Sequence, residues 1–142
     1  MERKYYHIPT LPAGTTVATV DWNVVPAAQI DTYRWLDGGY EPHAEARLAF
    51  LPGYGFALRM SCVERSPRAI YSGYNEPVYT DSCLEFFAAW AEGSPTHDRR
   101  YMNMEMNARG TLLSCLGTDR HARVPVRDIT GGSIPDVRGA VL

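Results

Sequence analysis

Apolar and polar residues alternate with a period of two along much of the chain, in short runs closed by Gly, Pro, Asp or Asn. The plainest case is "YMNMEMNARG", where Met102, Met104 and Met106 interleave with Tyr101, Asn103, Glu105 and Asn107. Successive side chains of a strand point to opposite faces. This segment therefore predicts a strand over 100–108 whose methionines face a core. Its Asn and Glu residues face either water or a ligand. The same alternation predicts strands over 15–22, 43–50, 56–64, 81–90 and 111–117. "LPGYG" turns 43–50 into 56–64, so these two form a hairpin. Helical spacing is confined to "PAAQIDTYRWL", which suits a turn or two of helix. The prediction is a single all-β domain over 1–142, an antiparallel β-sandwich of jelly-roll type. Residues 118–142, with Gly131, Gly132 and Pro135 and little apolar content, are expected to form an irregular tail.

Parity sorts the side chains. Ala44, Ala46, Leu48 and Phe50 share one face, with Glu45 and Arg47 opposite. Phe56, Leu58, Met60 and Cys62 share a face, with Arg59 and Ser61 opposite. In 81–90, Leu84, Phe86, Ala88 and Trp90 lie against Cys83, Glu85, Phe87 and Ala89. Both faces are largely apolar, which predicts a central strand with Glu85 among apolar neighbours. An ionised carboxylate there needs a partner, and Arg59 and Arg47 are the natural ones. The expected polar face holds Arg47, Arg59, Glu85, Asn103, Glu105 and Asn107. One reading is a solvated face with ordinary cross-strand ion pairs. The other is a sugar site. Asn is depleted in strands, yet two stand beside a Glu. Amides, carboxylates and a guanidinium suit hydroxyls that both donate and accept, and nearby rings would stack on a sugar.

Composition narrows the classes. A chain of 142 residues with 45% hydrophobic and 21% charged residues fits one core. A net charge of −2 makes no case for nucleic acid or an anionic membrane. No apolar run reaches the roughly 18 residues of a membrane helix. "MERKYYHIPTLPAG" lacks an apolar stretch after its charges, so no secretory signal is expected and the compartment stays open. Cys62, Cys83 and Cys115 lie far apart in apolar segments and read as small buried thiols, without metal spacing.

Glu85 and Glu105 resemble a glycosidase pair, which needs carboxyls about 5–5.5 or about 6.5–9.5 Å apart in a cleft. A nearby Arg would hold both ionised, whereas a general acid needs a raised pKa. His7, His43, His97 and His121 are scattered, and no GxSxG, HExxH or P-loop occurs. No enzyme is expected. Trp22 and Trp90 read as core, Trp35 as core or surface. Tyr71, Tyr74 and Tyr79 in "SGYNEPVY" are loop rings suited to line a site.

"NEPVYTDSCLEFF" and, after a loop, "YMNMEMNARGTLLSCLGTDRHAR" resemble the family 9 carbohydrate-binding modules in their stand-alone, family 9-like form. "EARLAFLPGYGFALRMSCVE" is similar to the hairpin that precedes these motifs there, so the resemblance covers residues 42–124. It implies a β-sandwich that binds sugars without catalysis, often at a chain end, through aromatic stacking beside a carboxylate and an Asn-bearing strand. On this chain the carboxylate of "DSCLEFF" is Glu85, and the aromatic six residues before it is Tyr79, where better-known modules use Trp. The E-x-N pair is Glu105 and Asn107, and the first of these is Arg in some members. The expected carbohydrate site is then Arg59, Tyr74, Tyr79, Glu85, Asn103, Glu105 and Asn107, with Arg59 orienting Glu85.

Two departures stand out. No Trp follows Trp90 to supply a second ring, and the family usually continues with strands beyond position 142. The alternative is therefore a sandwich that serves structure or interaction without sugar, or one that a second copy of the chain completes. No cofactor is expected except structural calcium, for which Glu76, Asp81 and Asp98 would be loop oxygen ligands.

Overall fold

The computed structural model describes residues 4–33, 39–89, 99–135 and 137–139. The chain forms two compact units, 1–65 and 66–142. Both carry antiparallel sheets, as a β-sandwich requires, so the predicted all-β class holds.

The first unit has β1 (Ala28–Ile30), β2 (His43–Leu51) and β3 (Gly55–Val63), in the order β1-β2-β3. β2 and β3 form the predicted hairpin, with Phe50 opposite Phe56 and Leu51 opposite Gly55. Gly53 (φ 87°) and Gly55 (φ 119°) take left-handed conformations that a side chain would strain. The helical turn expected near residue 28 is instead β1. Its backbone hydrogen-bonds along β2, with Ala28 opposite Ala46, and this ladder outweighs a weak local helical preference.

The strand expected over 15–22 is a chain of turns. Thr15 N–H donates to Pro12 O (3.1 Å), and Thr19 N–H to Thr16 O (3.0 Å). Thr16 N–H bonds the Thr19 hydroxyl oxygen (2.9 Å). Short hydroxyl side chains that bond nearby backbone compete with a ladder.

The core of this unit is Leu11, Val25, Ala49, Leu51 and Ala57, with Val20 and Trp22 packed against it. It lies on the sheet face that parity assigned to Arg47 and Arg59, because Ala49 and Leu51 continue that face and the N-terminal segment covers it. Leu11 N–H donates to Phe50 O (3.0 Å), and Phe50 N–H to Pro9 O (2.9 Å). Arg47 reaches from the same face to the carbonyls of Val25 (2.5 Å) and Trp22 (3.1 Å) and pairs with Glu45 (3.1 Å). Phe50 and Phe56, expected inside, are exposed and meet edge to face at 5.3 Å. Cys62, expected buried, is also exposed.

The second unit has a 3-10 turn (Val78–Thr80), β4 (Cys83–Ala88), β5 (Tyr101–Asn107), β6 (Leu112–Asp119), β7 (Ala122–Pro125) and a single turn of helix, α1 (Val126–Ile129). The sheet order is β4-β5-β6-β7. β4, expected in the centre, is the outermost strand of this sheet among the described residues, and Glu85 and Phe87 on its second face are exposed. Residues 118–142, expected as an irregular tail, supply the end of β6, all of β7 and α1. β7 approaches β6 closely because position 117 is Gly; a Cβ there would lie 2.2 Å from Ala122 O. Trp35, Trp90, His97 and Asp98 lie outside the described residues. No helix among the described residues is long and apolar enough to cross a membrane.

Candidate functional site

The β5 stripe reverses its expected burial. Asn103, Glu105 and Asn107 are 0%, 5% and 4% exposed, while Met102, Met104 and Met106 are only half-buried. Polar groups go inside only when hydrogen-bonded. The three residues meet that condition to different degrees, and the difference separates scaffold from site.

Asn107 is fully engaged. Its Nδ2 donates to Tyr71 O (2.9 Å) and Asp81 Oδ2 (2.9 Å), and its Oδ1 accepts from Arg109 N–H (3.1 Å) and Thr111 N–H (3.0 Å). Asp81 Oδ2 also accepts from Ile70 N–H (3.0 Å) and Tyr71 N–H (3.1 Å). Burial pushes the Asp81 carboxyl up. The bonds from Asn107, Ile70 and Tyr71, with Arg68 beside them, outweigh it and hold the carboxyl below its ordinary value. This bracket ties the 68–82 segment to the β5–β6 turn, so Asn107 is scaffold.

Of the three residues expected to hold calcium, Asp81 and Glu76 are already engaged by protein donors, and Asp98 lies outside the described residues. Asp81 is filled with N–H donors and faces Arg68, and Glu76 Oε2 accepts from Ser72 N–H (2.9 Å) and Gly73 N–H (2.5 Å). Such carboxylates do not suit a hard cation that wants free oxygens. No group of three potential ligand side chains converges among the described residues.

Asn103 and Glu105 are held differently. Asn103 Oδ1 accepts from Cys115 N–H (3.2 Å), and its Nδ2 donates to Glu105 Oε1 (2.8 Å). Arg123 Nη1 stands 3.9 Å from the same oxygen, too far for a hydrogen bond. Arg123 is paired across the ladder with Gly117, and the missing side chain there leaves it room to reach over β6 toward β5. Glu105 Oε2 is buried and has no hydrogen-bond partner among the described residues.

Glu85 sits directly opposite Glu105 in the β4–β5 register, and Phe87 opposite Asn103. Opposed residues share a sheet face, so the two carboxylates are neighbours. Glu85 is exposed as a residue. Even so, burial of its carboxyl against the sheet pushes its pKa up, Glu105 pushes it further, and Arg123 only partly offsets them. The same surroundings, burial first and then Glu85 and Glu105, push the Cys83 thiol up to about 12. Phe87 is 50% exposed and meets the Tyr101 ring at 5.9 Å, tilted by 35°. The face thus presents an exposed carboxylate, a buried one with a free oxygen, a guanidinium and a pair of rings.

Of the residues expected in the site, the structure brings Glu85, Asn103 and Glu105 together. Arg59 belongs to the first unit, opposite Arg47 on β2, and the cation beside Glu105 is Arg123. Tyr74 is used structurally: its hydroxyl donates to Ser114 O (3.2 Å) and accepts from Arg127 N–H (3.2 Å), and Arg127 stacks over its ring at 4.9 Å. Tyr79 is an exposed ring on the 3-10 turn. Phe87, Tyr101 and Arg123 were missed. The parity of Phe87 with Glu85, and of Tyr101 with Asn103, was a usable signal for the rings. Arg123 lay in the segment expected to be irregular.

Comparison with known proteins follows this geometry. The family model for "Carbohydrate-binding family 9" matches residues 15–132. Among solved structures, the chain is similar to "a putative carbohydrate-binding protein" from Bacteroides uniformis ATCC 8492, with 30% identity and a TM-score of 0.69 over 87% of this chain. The match spans 57% of that protein's length. No curated protein matches the sequence. With the family match running through β1 to α1, the chain belongs to carbohydrate-binding family 9.

Proposed function

We propose that the second unit binds a mono- or oligosaccharide, or a chain end, without catalysis on the β4–β5 face. Glu85, Asn103 and Glu105 form its polar floor, Arg123 its cation and Phe87 with Tyr101 its stacking edge. The observation that carries this reading is Glu105 Oε2, a buried carboxylate oxygen without a partner among the described residues, beside the exposed residue Glu85. Such an atom calls for a donor, and a sugar hydroxyl supplies one. The Phe87–Tyr101 pair gives the apolar face of a pyranose a surface to rest on. Asn103 holds Glu105 in place from Oε1 and leaves Oε2 without a donor among the described residues.

Binding without hydrolysis is supported by the placement of the carboxylates. Glycosidase carboxyls flank the scissile bond from two sides. Glu85 and Glu105 are direct cross-strand neighbours on one face, with Cβ atoms about 4.5–5.5 Å apart as such pairs are. The raised Glu85 pKa corrects the expectation that an Arg keeps both groups ionised, but an acid without a carboxylate across the bond does not complete that pair.

Calorimetry against a panel of mono- and oligosaccharides tests the reading. Glu105→Ala is expected to weaken binding at least tenfold, and Glu45→Ala, on the other unit's sheet, to leave it unchanged. Equal effects would place the site elsewhere. Reducing ends released from a polysaccharide panel, and abolished by Glu85→Gln, would overturn the non-catalytic assignment.

A further inference from the structure

We infer that the carbohydrate taken by this face carries a cationic amino group, as a glucosamine-type sugar does: Glu85 stands opposite a buried Glu105 whose Oε2 lacks a donor, and one guanidinium faces the pair. This rests on the carbohydrate reading above and narrows its ligand class.

The argument starts from a count of charge and donors. Among the described residues, Glu85 and Glu105 bring two carboxylates and Arg123 one guanidinium, so this cluster carries one formal negative charge in excess. Like charges directly opposite on adjacent strands repel, and partial burial makes the repulsion stronger than in water. Burial first and then Glu105 push the Glu85 carboxyl up, and Arg123 partly offsets them.

The donors are distributed just as unevenly. Asn103 Nδ2 (2.8 Å) and Arg123 Nη1 (3.9 Å) both address Oε1 of Glu105, and among the described residues Oε2 receives no donor. A neutral hydroxyl has a single hydrogen to give. An ammonium has three, enough to meet Oε2 and the Glu85 carboxylate together, and its charge cancels the excess. Charge-assisted bonds of this kind are about twice as strong as neutral ones. Glu85 is exposed on the face that also carries Phe87 and Tyr101, whose rings would receive the sugar ring.

Three sugars of one ring stereochemistry test this by calorimetry: the methyl glycosides of glucosamine, glucose and N-acetylglucosamine, at low salt and a pH where the amine is charged. Glucosamine is expected to bind about tenfold tighter than glucose, a difference that adding one charge-assisted contact readily supplies. N-acetylation should remove the preference, and added salt should shrink it. Glu85→Gln, a substitution at an exposed position, should bring the glucosamine-to-glucose ratio to about one. Glu105→Gln should do the same, with circular dichroism confirming that it folds. Glucose binding as tightly as glucosamine would overturn the amino-group inference and leave the carbohydrate reading standing. A preference that survives Glu85→Gln would also overturn it. Failure of all three while another sugar of the panel binds would overturn the amino-group inference alone, and failure of the whole panel would overturn both.

Discussion

Replacing Asn107 with alanine separates scaffold from site. The side chain makes four hydrogen bonds from a position that is 4% exposed: two donated to Tyr71 O and Asp81, and two accepted from Arg109 N–H and Thr111 N–H. A net hydrogen bond contributes about 1 kcal/mol, and a buried group left without a partner costs about 1–3 kcal/mol. Tyr71 O keeps a donor in the Thr111 hydroxyl (2.9 Å), and Arg109 is exposed, so water replaces part of the loss. The buried Thr111 N–H has no such substitute. The sum is a destabilisation of about 3 kcal/mol, or about 10 °C in Tm for a chain of this size. Urea unfolding should show a lower midpoint with an unchanged slope. Sugar affinity, measured where the variant is folded, should stay within about twofold of the parent. A loss below about 1 kcal/mol, or a tenfold fall in affinity with stability intact, would refute the placement of Asn107 in the scaffold.

Other perturbations test the surrounding features. Glu85→Gln should stabilise the protein at neutral pH by a few tenths to about 1 kcal/mol, the scale of a like-charge cross-strand pair. Because the Glu85 pKa is raised in the fold, the parent regains stability as pH falls through that value toward the ordinary 4.5, so the advantage of Gln in thermal melts should shrink over that range. An advantage that grows on acidification would contradict the sign. Gly117→Ala would place a Cβ 2.2 Å from Ala122 O and 2.7 Å from Arg123 Cα, forcing β7 off β6. It should lower Tm and, by displacing Arg123, weaken sugar binding as well; unchanged values of both would count against the β6–β7 register. Phe87→Ala should reduce affinity about fivefold or more if the ring stacks on the ligand, consistent with an aromatic contact of about 1 kcal/mol or more, with little change in Tm because the side chain is half exposed.

Local pattern carried the strands further than it carried their surroundings. The β2–β3 hairpin was legible because its turn and both alternations agree. So was the split of β5 into a methionine face and a polar face. Which β5 face is buried was not legible, because burial follows from partners distant in sequence: Asp81, Tyr71 and Thr111 for Asn107, and Cys115 for Asn103. Threonine hydroxyls turned 15–22 away from a ladder that its β-branched residues invited. Arg59 was matched to Glu85 by charge and by its place on a polar strand face, and strand order decides such pairs: the sequence says that both lie on strands, not that the strands belong to different sheets. Arg123 shows the converse. Its strand is four residues long and weakly patterned, and it acquires a role only because Gly117 admits it beside β5. Glu85, Asn103 and Glu105 were grouped by parity on polar strand faces, and the β4–β5 register sets Glu85 opposite Glu105.

Titration of isotope-labelled protein with a binding sugar, followed by amide and side-chain NMR shifts, tests the central claim most directly. The account predicts that the largest changes fall on Glu85, Phe87, Tyr101, Asn103, Glu105 and Arg123, with Asn107 and Asp81 nearly still. Changes centred instead on Tyr74, Tyr79 or the Phe50–Phe56 pair, or no change on the β4–β5 face at saturating sugar, would contradict it.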